Sequence, residues 1–496
     1  MLNRSDKYAR PTATGFALLL SVVVVLVVSF HTSFLYENTP SVDSAMFQLI
    51  GKAWTEGRLP YLEMWDSKGP LVYFVNAVGF WITGNRYGIS VIQVVFLFIS
   101  ILLIINLLRK EFSFGRAIVL TFVAILTLVL SYFGGNTVQE YLLPLLLWCL
   151  TQVYQWAHGV GDMRKSMAHP PRYAFVYGMT LAVCLFSALI NAIGVCAAVL
   201  VIIVCLVRNR LWSNLWRNAV AFMAGFVVVT ALVVIYFLCN NALEEMWYAT
   251  FLFNLEYTET SGFDLFSWRG LMKVFMRDAN CYILLAVAIW LLLRGKSKLR
   301  GWLWLMVSAL TFLWLLKGRG FSQYATVALP YICLAFNELG ALYKSSGRKV
   351  KMRVVSRFAC VIALYGIVGC AYSVWLYRTM YAEDDTLKPQ REFLHAQAPE
   401  GFEKSFVAYN CCPALYLYED ISPCYRHFTL QDASVGCGKS LYPRLRKVFE
   451  EGNAEYILVA GKPMAVADIL SRRYELLARD RKHHLVLLKL KDSERK

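Results

Sequence analysis

Apolar segments near 20 residues long recur along most of the chain and constrain its fold more than any other feature. Each is long enough to cross a hydrocarbon core of roughly 30 Å as a helix. The composition agrees, because 58% of the 496 residues are hydrophobic and 17% are charged, whereas soluble domains average about 45–50% apolar and about 25% charged. The sequence therefore predicts an α-helical polytopic membrane protein. Its expected spans number about eleven, at 13–33, 88–108, 115–133, 138–157, 173–190, 192–207, 218–238, 279–293, 301–316, 324–343 and 357–377.

The formal net charge of +17 is concentrated in the membrane part, which holds 32 basic and 16 acidic residues before residue 379. The basic residues fall on alternate connections, beginning with Arg4, Lys7 and Arg10, and the positive-inside rule assigns that side to the cytoplasm. Twelve of the 16 acidic residues fall on the opposite side. We therefore expect a cytoplasmic N-terminus, a retained signal anchor at 14–33, and no nucleic-acid partner, because the basic surplus reports orientation in a cell (plasma or inner) membrane.

The sequence divides into a transmembrane domain at 1–378 and a second domain at 379–496, which an odd number of helices places outside the cytoplasm. Short β-rich runs at 405–410, 456–461 and 484–490 alternate with helix-compatible stretches, a pattern typical of a small α/β domain. Its four cysteines permit one or two disulfides of undetermined connectivity. Their spacing fits no zinc pattern, so a metal cluster is less favoured. These cysteines are Cys411, Cys412, Cys424 and Cys437.

The first predicted outer loop, residues 43–71, gathers charge directly after the first span. Met46, Phe47, Ile50 and Trp54 recur at helical spacing after Asp43, which favours an interfacial helix with its apolar side toward the acyl chains. A second interfacial segment begins near residue 65. In a functional interpretation Asp43 is a general base. The alternative is a solvated loop whose charges match headgroups. The functional interpretation adds phosphate contacts from Lys68 and Arg58, with Asp66 as a second carboxylate.

Two further outer connections carry candidate site residues. In the second, Asn136 or Thr137 is expected to cap the fourth helix, and Glu140 lies in its first turn, where the helix dipole favours a carboxylate. In the fourth, Lys317 and Arg319 lie on the outer face against the positive-inside trend. This placement suggests phosphate contact, with a snorkelling pair as the alternative. The sequence lacks a Walker loop, a G-x-S-x-G elbow and an H-E-x-x-H motif.

Several short motifs resemble the GT-C glycosyltransferases when taken in order. They are Asp43-Ser44, GRLPY at 57–61, WDSKGPLVYF at 65–74 and GRGFSQYATVALP at 318–330. The likeness is to the branch that includes protein-mannosyltransferase-like and aminoarabinose-transferase-like enzymes. It implies a polyprenyl-phosphate-linked sugar donor, inverting transfer and a catalytic acid at Asp43. The chain departs from the family pattern at Ser44, at Gly69 in place of proline, and at Gln323-Tyr324 in place of His-Tyr.

These observations predict a membrane glycosyltransferase acting on the extracytoplasmic face. Its expected partners are a polyprenyl-phosphate-linked sugar, membrane lipids and an envelope glycan, lipid or protein acceptor. No cofactor is required if side chains stabilise the leaving phosphate, although Asp43 and Glu140 could share a divalent cation. The other candidate residues for acceptor contact are Asn136, Asp66, Gln323 and Tyr324. The alternatives are a transporter or lipid-linked-glycan flippase, and a non-catalytic envelope-assembly protein.

Overall fold

The computed structural model is mostly helical and divides into two compact units. The first comprises Met1–Ser29, Ser90–Val234 and Gly262–Trp375, and the second comprises Phe30–Ile89, Ile235–Ser261 and Leu376–Lys496. The structure describes residues 4–36, 42–132, 134–160, 167–259, 278–294, 297–317, 322–345, 352–376, 386–437, 440–451 and 454–494. The predicted domain boundary at 378 lies outside these residues and stays a prediction.

Long apolar runs form the helices that precede residue 377. In chain order they are α1 (Arg4–Val28), α2 (Val42–Thr55), α3 (Pro70–Thr83), α4 (Tyr87–Leu108), α5 (Phe114–Tyr132), α6 (Val138–Val160), α7 (Pro171–Leu185), α8 (Ile193–Arg208), α9 (Trp212–Cys239), α10 (Leu243–Trp247), α11 (Phe253–Glu259), α12 (Ala279–Arg294), α13 (Lys298–Lys317), α14 (Leu329–Ser345) and α15 (Met352–Leu376). Shorter 3-10 turns occupy Leu189–Ala192 and Ser322–Ala328, and a π turn occupies Tyr248–Leu252.

Each of the predicted spans coincides with a helix, and the predicted helical membrane architecture is confirmed. Within the described ranges, seven helices are long and apolar enough to cross a membrane: Arg10–Val28, Tyr87–Leu108, Leu189–Arg208, Trp212–Cys239, Lys298–Leu316, Ser322–Lys344 and Val355–Tyr372. Shorter apolar helices occupy Phe114–Val129 and Ala279–Arg294. The number of helices that cross the membrane, and the side on which each end lies, stay predictions.

Two glycines set the contact between α7 and α9 in the first unit. A Cβ atom at Gly178 would lie 1.9 Å from the carbonyl oxygen of Phe222, and a Cβ at Gly225 would lie 2.0 Å from that of Phe175. The backbones of the two helices therefore approach as closely as glycine allows, the packing by which membrane helices associate through small residues.

In the second unit, the first outer loop forms the two predicted helices α2 and α3, but α2 is not oriented as expected. Met46, Phe47 and Ile50 are buried, and α2 packs extensively on α3. The prediction that this apolar side faces acyl chains is therefore wrong, because α3 covers it. The exposed apolar side chains belong to α3, where Phe74 is exposed and Trp81 is 81% exposed.

The C-terminal part of the second unit is an α/β domain, as predicted. Its helices are α16 (Leu387–Gln397), α17 (Ala414–Tyr418), α18 (Gln431–Cys437), α19 (Leu441–Glu451) and α20 (Ala467–Arg473). Its strands are β1 (Phe406–Tyr409), β2 (Tyr456–Ala460), β3 (Tyr474–Asp480) and β4 (Leu485–Leu490). The sheet order is β1-β2-β4-β3, with β1 parallel to β2 and the other pairs antiparallel. Val407, Ile457 and Phe449 lie in its core.

Two sequence predictions for this domain need correction. The helix-compatible stretch before the last β-rich run is not helical to its end. Its last residues form β3, because a turn at 481–484 returns the chain as β4 and pairs the two strands. The Asp480 carboxylate accepts the backbone N–H groups of Lys482 and His483 and so stabilises that turn. Cys411, Cys412 and Cys424 are not joined to one another by a disulfide. The side chain of Cys437 lies outside the described part of the chain.

Candidate active site

Asp43, which the sequence placed just before this helix, lies in the first turn of α2, and the residue is half-buried. Desolvation raises the pKa of Asp43 above its ordinary value of 3.8, and the charge of Asp66 raises it further. The ammonium of Lys68 acts in the opposite direction and lowers this pKa. The three charged groups are therefore close enough to interact, although Asp43 precedes Asp66 and Lys68 by more than 20 positions in the sequence.

Asp66 is buried and held by two donors. The Tyr73 hydroxyl donates to Asp66 Oδ2 at 2.8 Å, and the Ser67 backbone N–H donates to Asp66 Oδ1 at 2.6 Å. Both bonds fix the direction of the carboxylate, because bonds to a charged acceptor are stronger and shorter than neutral ones. Asp66 is thus oriented by its neighbours and acts on Asp43 through its charge.

The backbone at Lys68 is fixed by two buried tyrosines that the sequence analysis did not single out. The Tyr61 hydroxyl donates to the Lys68 carbonyl at 2.9 Å, and the Lys68 backbone N–H donates to the Tyr73 hydroxyl at 3.2 Å. The Asn254 amide donates to the Ser67 carbonyl at 2.6 Å. Tyr61 also adopts a positive φ of 71°, which few non-glycine residues do. The sequence signal for Tyr61 was its place in the GRLPY motif at 57–61.

Arg58 is directed toward the C-terminal domain. Its guanidinium donates to Ser422 Oγ at 2.5 Å and to the Pro423 carbonyl at 2.8 Å, and it also reaches the Glu63 carbonyl at 3.4 Å. These bonds join the outer loop to the segment after α17. The predicted contact between Arg58 and a donor phosphate stays a prediction.

A second link to the C-terminal domain comes from α10, which the sequence analysis also missed. The Glu245 carboxylate pairs with Arg426 at 3.1 Å and with Arg444 at 3.0 Å. The Arg444 guanidinium lies 3.8 Å from the centre of the Tyr248 ring, a cation–π contact. The segment after α9 therefore holds the C-terminal domain through Glu245 and Tyr248.

The loop itself meets the C-terminal domain at Trp65. Its backbone N–H donates to the Arg426 carbonyl at 2.9 Å, and its ring lies 5.2 Å from the ring of His427. Burial and the charge of Arg426 lower the pKa of His427 to about 3. His427 is therefore neutral at physiological pH and serves as a packing group here.

Glu140 belongs to the first unit and is buried at the start of α6. Its Oε1 atom accepts the Gln93 amide at 2.9 Å and the Thr137 backbone N–H at 3.2 Å. The bond to Thr137 is half of a capping box, so Thr137 is the cap that the sequence proposed as an alternative to Asn136. Gln93 in turn accepts the Ser29 hydroxyl at 3.0 Å. Glu140 Oε2 has no hydrogen-bond partner among the described residues.

The other predicted site residues of the first unit lie just before α6 and in the 3-10 turn that precedes α14. Asn136 is buried with a φ of 53°, and its side-chain oxygen accepts the Tyr141 hydroxyl at 2.8 Å. Gln323 is buried and Tyr324 is half-buried in the 3-10 turn that packs on α5 and α6. Arg319 and the side chain of Lys317 lie outside the described residues, so their role stays a prediction.

The prediction that no cofactor is required stays a prediction, and so does the alternative of a divalent cation. In the ranges that the structure covers, no three His, Cys, Asp or Glu side chains converge as a metal site. Asp43 and Glu140 belong to different units, and a divalent cation shared between them stays a prediction.

Glu338, an acid within the predicted span 324–343, is fully buried in the first unit and has several partners. His158 lies 2.9 Å from Oε1, the Trp304 indole donates to Oε1 at 2.8 Å, and Arg300 donates to Oε2 at 2.8 Å. These bonds join the ends of α6, α13 and α14. A buried carboxylate requires such partners to offset the cost of its desolvation.

Comparison with known proteins agrees with the predicted fold. Residues 4–380 match the family described as the competence-induced protein Ccs4 N-terminal domain. No curated protein matches the chain by sequence.

Among solved structures, ArnT from Cupriavidus metallidurans bound to undecaprenyl phosphate is 15% identical, with a TM-score of 0.55 over 96% of this chain and 98% of that one. The archaeal oligosaccharyltransferase AglB from Archaeoglobus fulgidus, in complex with an inhibitory peptide and a dolichol-phosphate, is 12% identical, with a TM-score of 0.49 over 100% and 75% of the two chains. The chain shares the GT-C fold of ArnT and belongs to the competence-induced Ccs4 N-terminal domain family.

Proposed function

We propose that the protein is a membrane glycosyltransferase that moves a sugar from a polyprenyl-phosphate donor to a cell-envelope acceptor on the extracytoplasmic face. The observation that carries the proposal is the grouping of Asp43, Asp66 and Lys68 in the first loop of a GT-C fold. The group supplies a carboxylate whose pKa is raised and a cation beside it. Those are the two functions that transfer from a lipid phosphate needs.

In the proposed reaction Asp43 removes the proton from an acceptor hydroxyl while that oxygen attacks the anomeric carbon of the donor sugar. The bond between this carbon and the phosphate oxygen breaks, and the phosphate leaves with the electron pair. Because attack comes from the side opposite the leaving group, the configuration at the anomeric carbon inverts. A raised pKa makes Asp43 a stronger base than an exposed aspartate.

Lys68 is the proposed first contact of the departing phosphate. A preorganised cation stabilises charge as it develops, and this is commonly the largest single contribution of an active site. The bonds from Tyr61 and to Tyr73 fix the backbone that carries Lys68. Arg58, Lys317 and Arg319 are further candidates for the same phosphate, and a divalent cation between Asp43 and Glu140 is the alternative.

The donor class rests on two supports. The order of the loop motifs resembles that of polyprenyl-phosphate-dependent enzymes, and ArnT, which shares the fold, was solved with undecaprenyl phosphate. The sugar and the acceptor are left open, with an envelope glycan, lipid or protein as candidates for the acceptor.

Asp43→Asn tests the proposal in the full chain reconstituted in liposomes with undecaprenyl-phosphate-linked sugars. Removing a general base costs typically 10²–10⁴-fold in rate, so we expect release of undecaprenyl phosphate to fall by about that factor. Glu56→Gln is the matched control, since Glu56 is an exposed acid of the same loop. A correctly folded Asp43→Asn protein that transfers sugar at the wild-type rate would rule out this role. Movement of the lipid-linked sugar between leaflets without phosphate release would favour a flippase.

A further inference from the structure

A polar cleft of about 320 Å³ lies in the second unit, apart from the proposed catalytic group. It is enclosed by α2, by the turn that joins α3 to α4, and by α17 with the residues that follow it. Its polar lining consists of Gln48, Lys52, Asn85, Arg86, Tyr418 and Asp420. A volume near 300 Å³ with a few convergent polar groups is typical of small-ligand sites.

The two cations of the cleft already have partners. Lys52 contacts the Asp420 carboxylate and lies 3.9 Å from that of Glu56. The Arg86 guanidinium donates to the Tyr36 carbonyl at 2.7 Å and to the Tyr418 hydroxyl at 3.0 Å. Because Lys52 and Arg86 already have these partners, an anion would have to compete with them. The cleft therefore favours a neutral polar ligand over a phosphate.

Aromatic rings supply the apolar side of the cleft. Arg86 lies 5.5 Å from the ring centre of Tyr87 and 5.8 Å from that of Tyr418, and Phe80 and Leu417 also line the space. A sugar ring presents hydroxyls at its edge and C–H groups on its faces. It therefore matches a cleft in which amide and hydroxyl groups alternate with aromatic and aliphatic surface.

The cleft lies on the side of α2 away from Asp43. Successive residues of a helix are about 100° apart, so Gln48 is about 140° and Lys52 about 180° around the helix from Asp43. A helix with its side chains is about 10–12 Å across. A single molecule that reaches both places must therefore extend around the helix, which a monosaccharide cannot do.

We propose that this cleft binds a saccharide segment of an oligosaccharide acceptor, at a distance from the hydroxyl that reacts. The assignment of the ligand as the acceptor rests on the proposed function, whereas saccharide binding by the cleft stands on its own lining residues. The acceptor is then a glycan of several sugar units.

The test measures binding of fluorescently labelled neutral oligosaccharides of one to six units to the full chain in detergent, with no donor present. We expect affinity to rise with length. Tyr418→Ala removes an aromatic wall, and Leu417→Trp fills the cleft without removing a polar group; each should weaken binding about tenfold or more. Tyr442→Ala is the matched control, since Tyr442 is an exposed tyrosine of the same domain on α19. Size-exclusion profiles establish that each variant is folded.

The proposal is overturned if no oligosaccharide binds, or if Tyr418→Ala and Leu417→Trp leave binding unchanged. It is also overturned if the two variants suppress binding of anionic lipid vesicles or of a peptide library instead. Because the assay contains no donor, it does not depend on glycosyl transfer. Absence of sugar transfer by the reconstituted wild-type protein would overturn the proposed function alone, and absent saccharide binding would overturn the cleft assignment alone.

Discussion

Replacing Tyr73 by phenylalanine tests whether the proposed catalytic group is held in place by its buried tyrosines. The substitution removes one hydroxyl, which donates to Asp66 at 2.8 Å and accepts the Lys68 backbone N–H at 3.2 Å. A bond to a charged group contributes about 1.5–3 kcal/mol and a neutral one about 0.5–1.5 kcal/mol. The combined loss is therefore about 2–4.5 kcal/mol. The phenylalanine ring keeps its packing against Tyr61 and Phe47.

If this energy positions the group for transfer, kcat/KM should fall by about 30- to 2,000-fold. The assay is release of undecaprenyl phosphate from the reconstituted full chain. A double-mutant cycle of Tyr73→Phe with Asp66→Asn distinguishes positioning from a general loss of stability, because bonded partners are not additive. Tyr442→Phe serves as the control. A kcat/KM within twofold of the wild-type value, or strict additivity with Asp66→Asn, would refute the reasoning.

Three further predictions concern charge and packing. Because Asp66 raises and Lys68 lowers the pKa of Asp43, Asp66→Asn should shift the acidic limb of the pH–rate profile to lower pH, and Lys68→Gln should shift it to higher pH. Glu245→Gln removes two ion pairs to the C-terminal domain and should cost about 1.5–3 kcal/mol, seen as faster limited proteolysis of that domain. Gly225→Leu places a side chain where only 2.0 Å separates a Cβ from an α7 carbonyl oxygen, and should lower the midpoint of thermal aggregation.

The helices could be predicted from sequence because apolar length alone decides whether a segment can span a bilayer. The same signal does not say which side of an amphipathic helix meets lipid. For α2 the apolar side at Met46, Phe47 and Ile50 packs on α3, and only the tertiary structure reveals that α3 takes the exposed position. Hydrophobic periodicity identifies a face to be covered but not the group that covers it.

The candidate site was predictable only where a charge stood out from its apolar surroundings. Asp43, Asp66 and Lys68 were identifiable on that basis. Tyr61 and Asn254 were not, because a tyrosine or asparagine in an aromatic loop is ordinary until the fold brings it to a specific carbonyl. The Asn254 contact joins segments 187 positions apart in sequence. The partners of both residues are backbone carbonyls, whose positions no residue pattern encodes.

The charge of the proposed site implies that Lys68 cannot serve the donor alone. The group contains two carboxyl groups and one ammonium, and a lipid phosphate brings further negative charge to it. Like charges in a partly desolvated site repel strongly, so donor binding requires more positive charge than Lys68 supplies. The candidates that the sequence predicted for this role are Lys317, Arg319 and a divalent cation. The carboxylates would then repel the phosphate once its bond to the sugar breaks, which favours release of the product lipid.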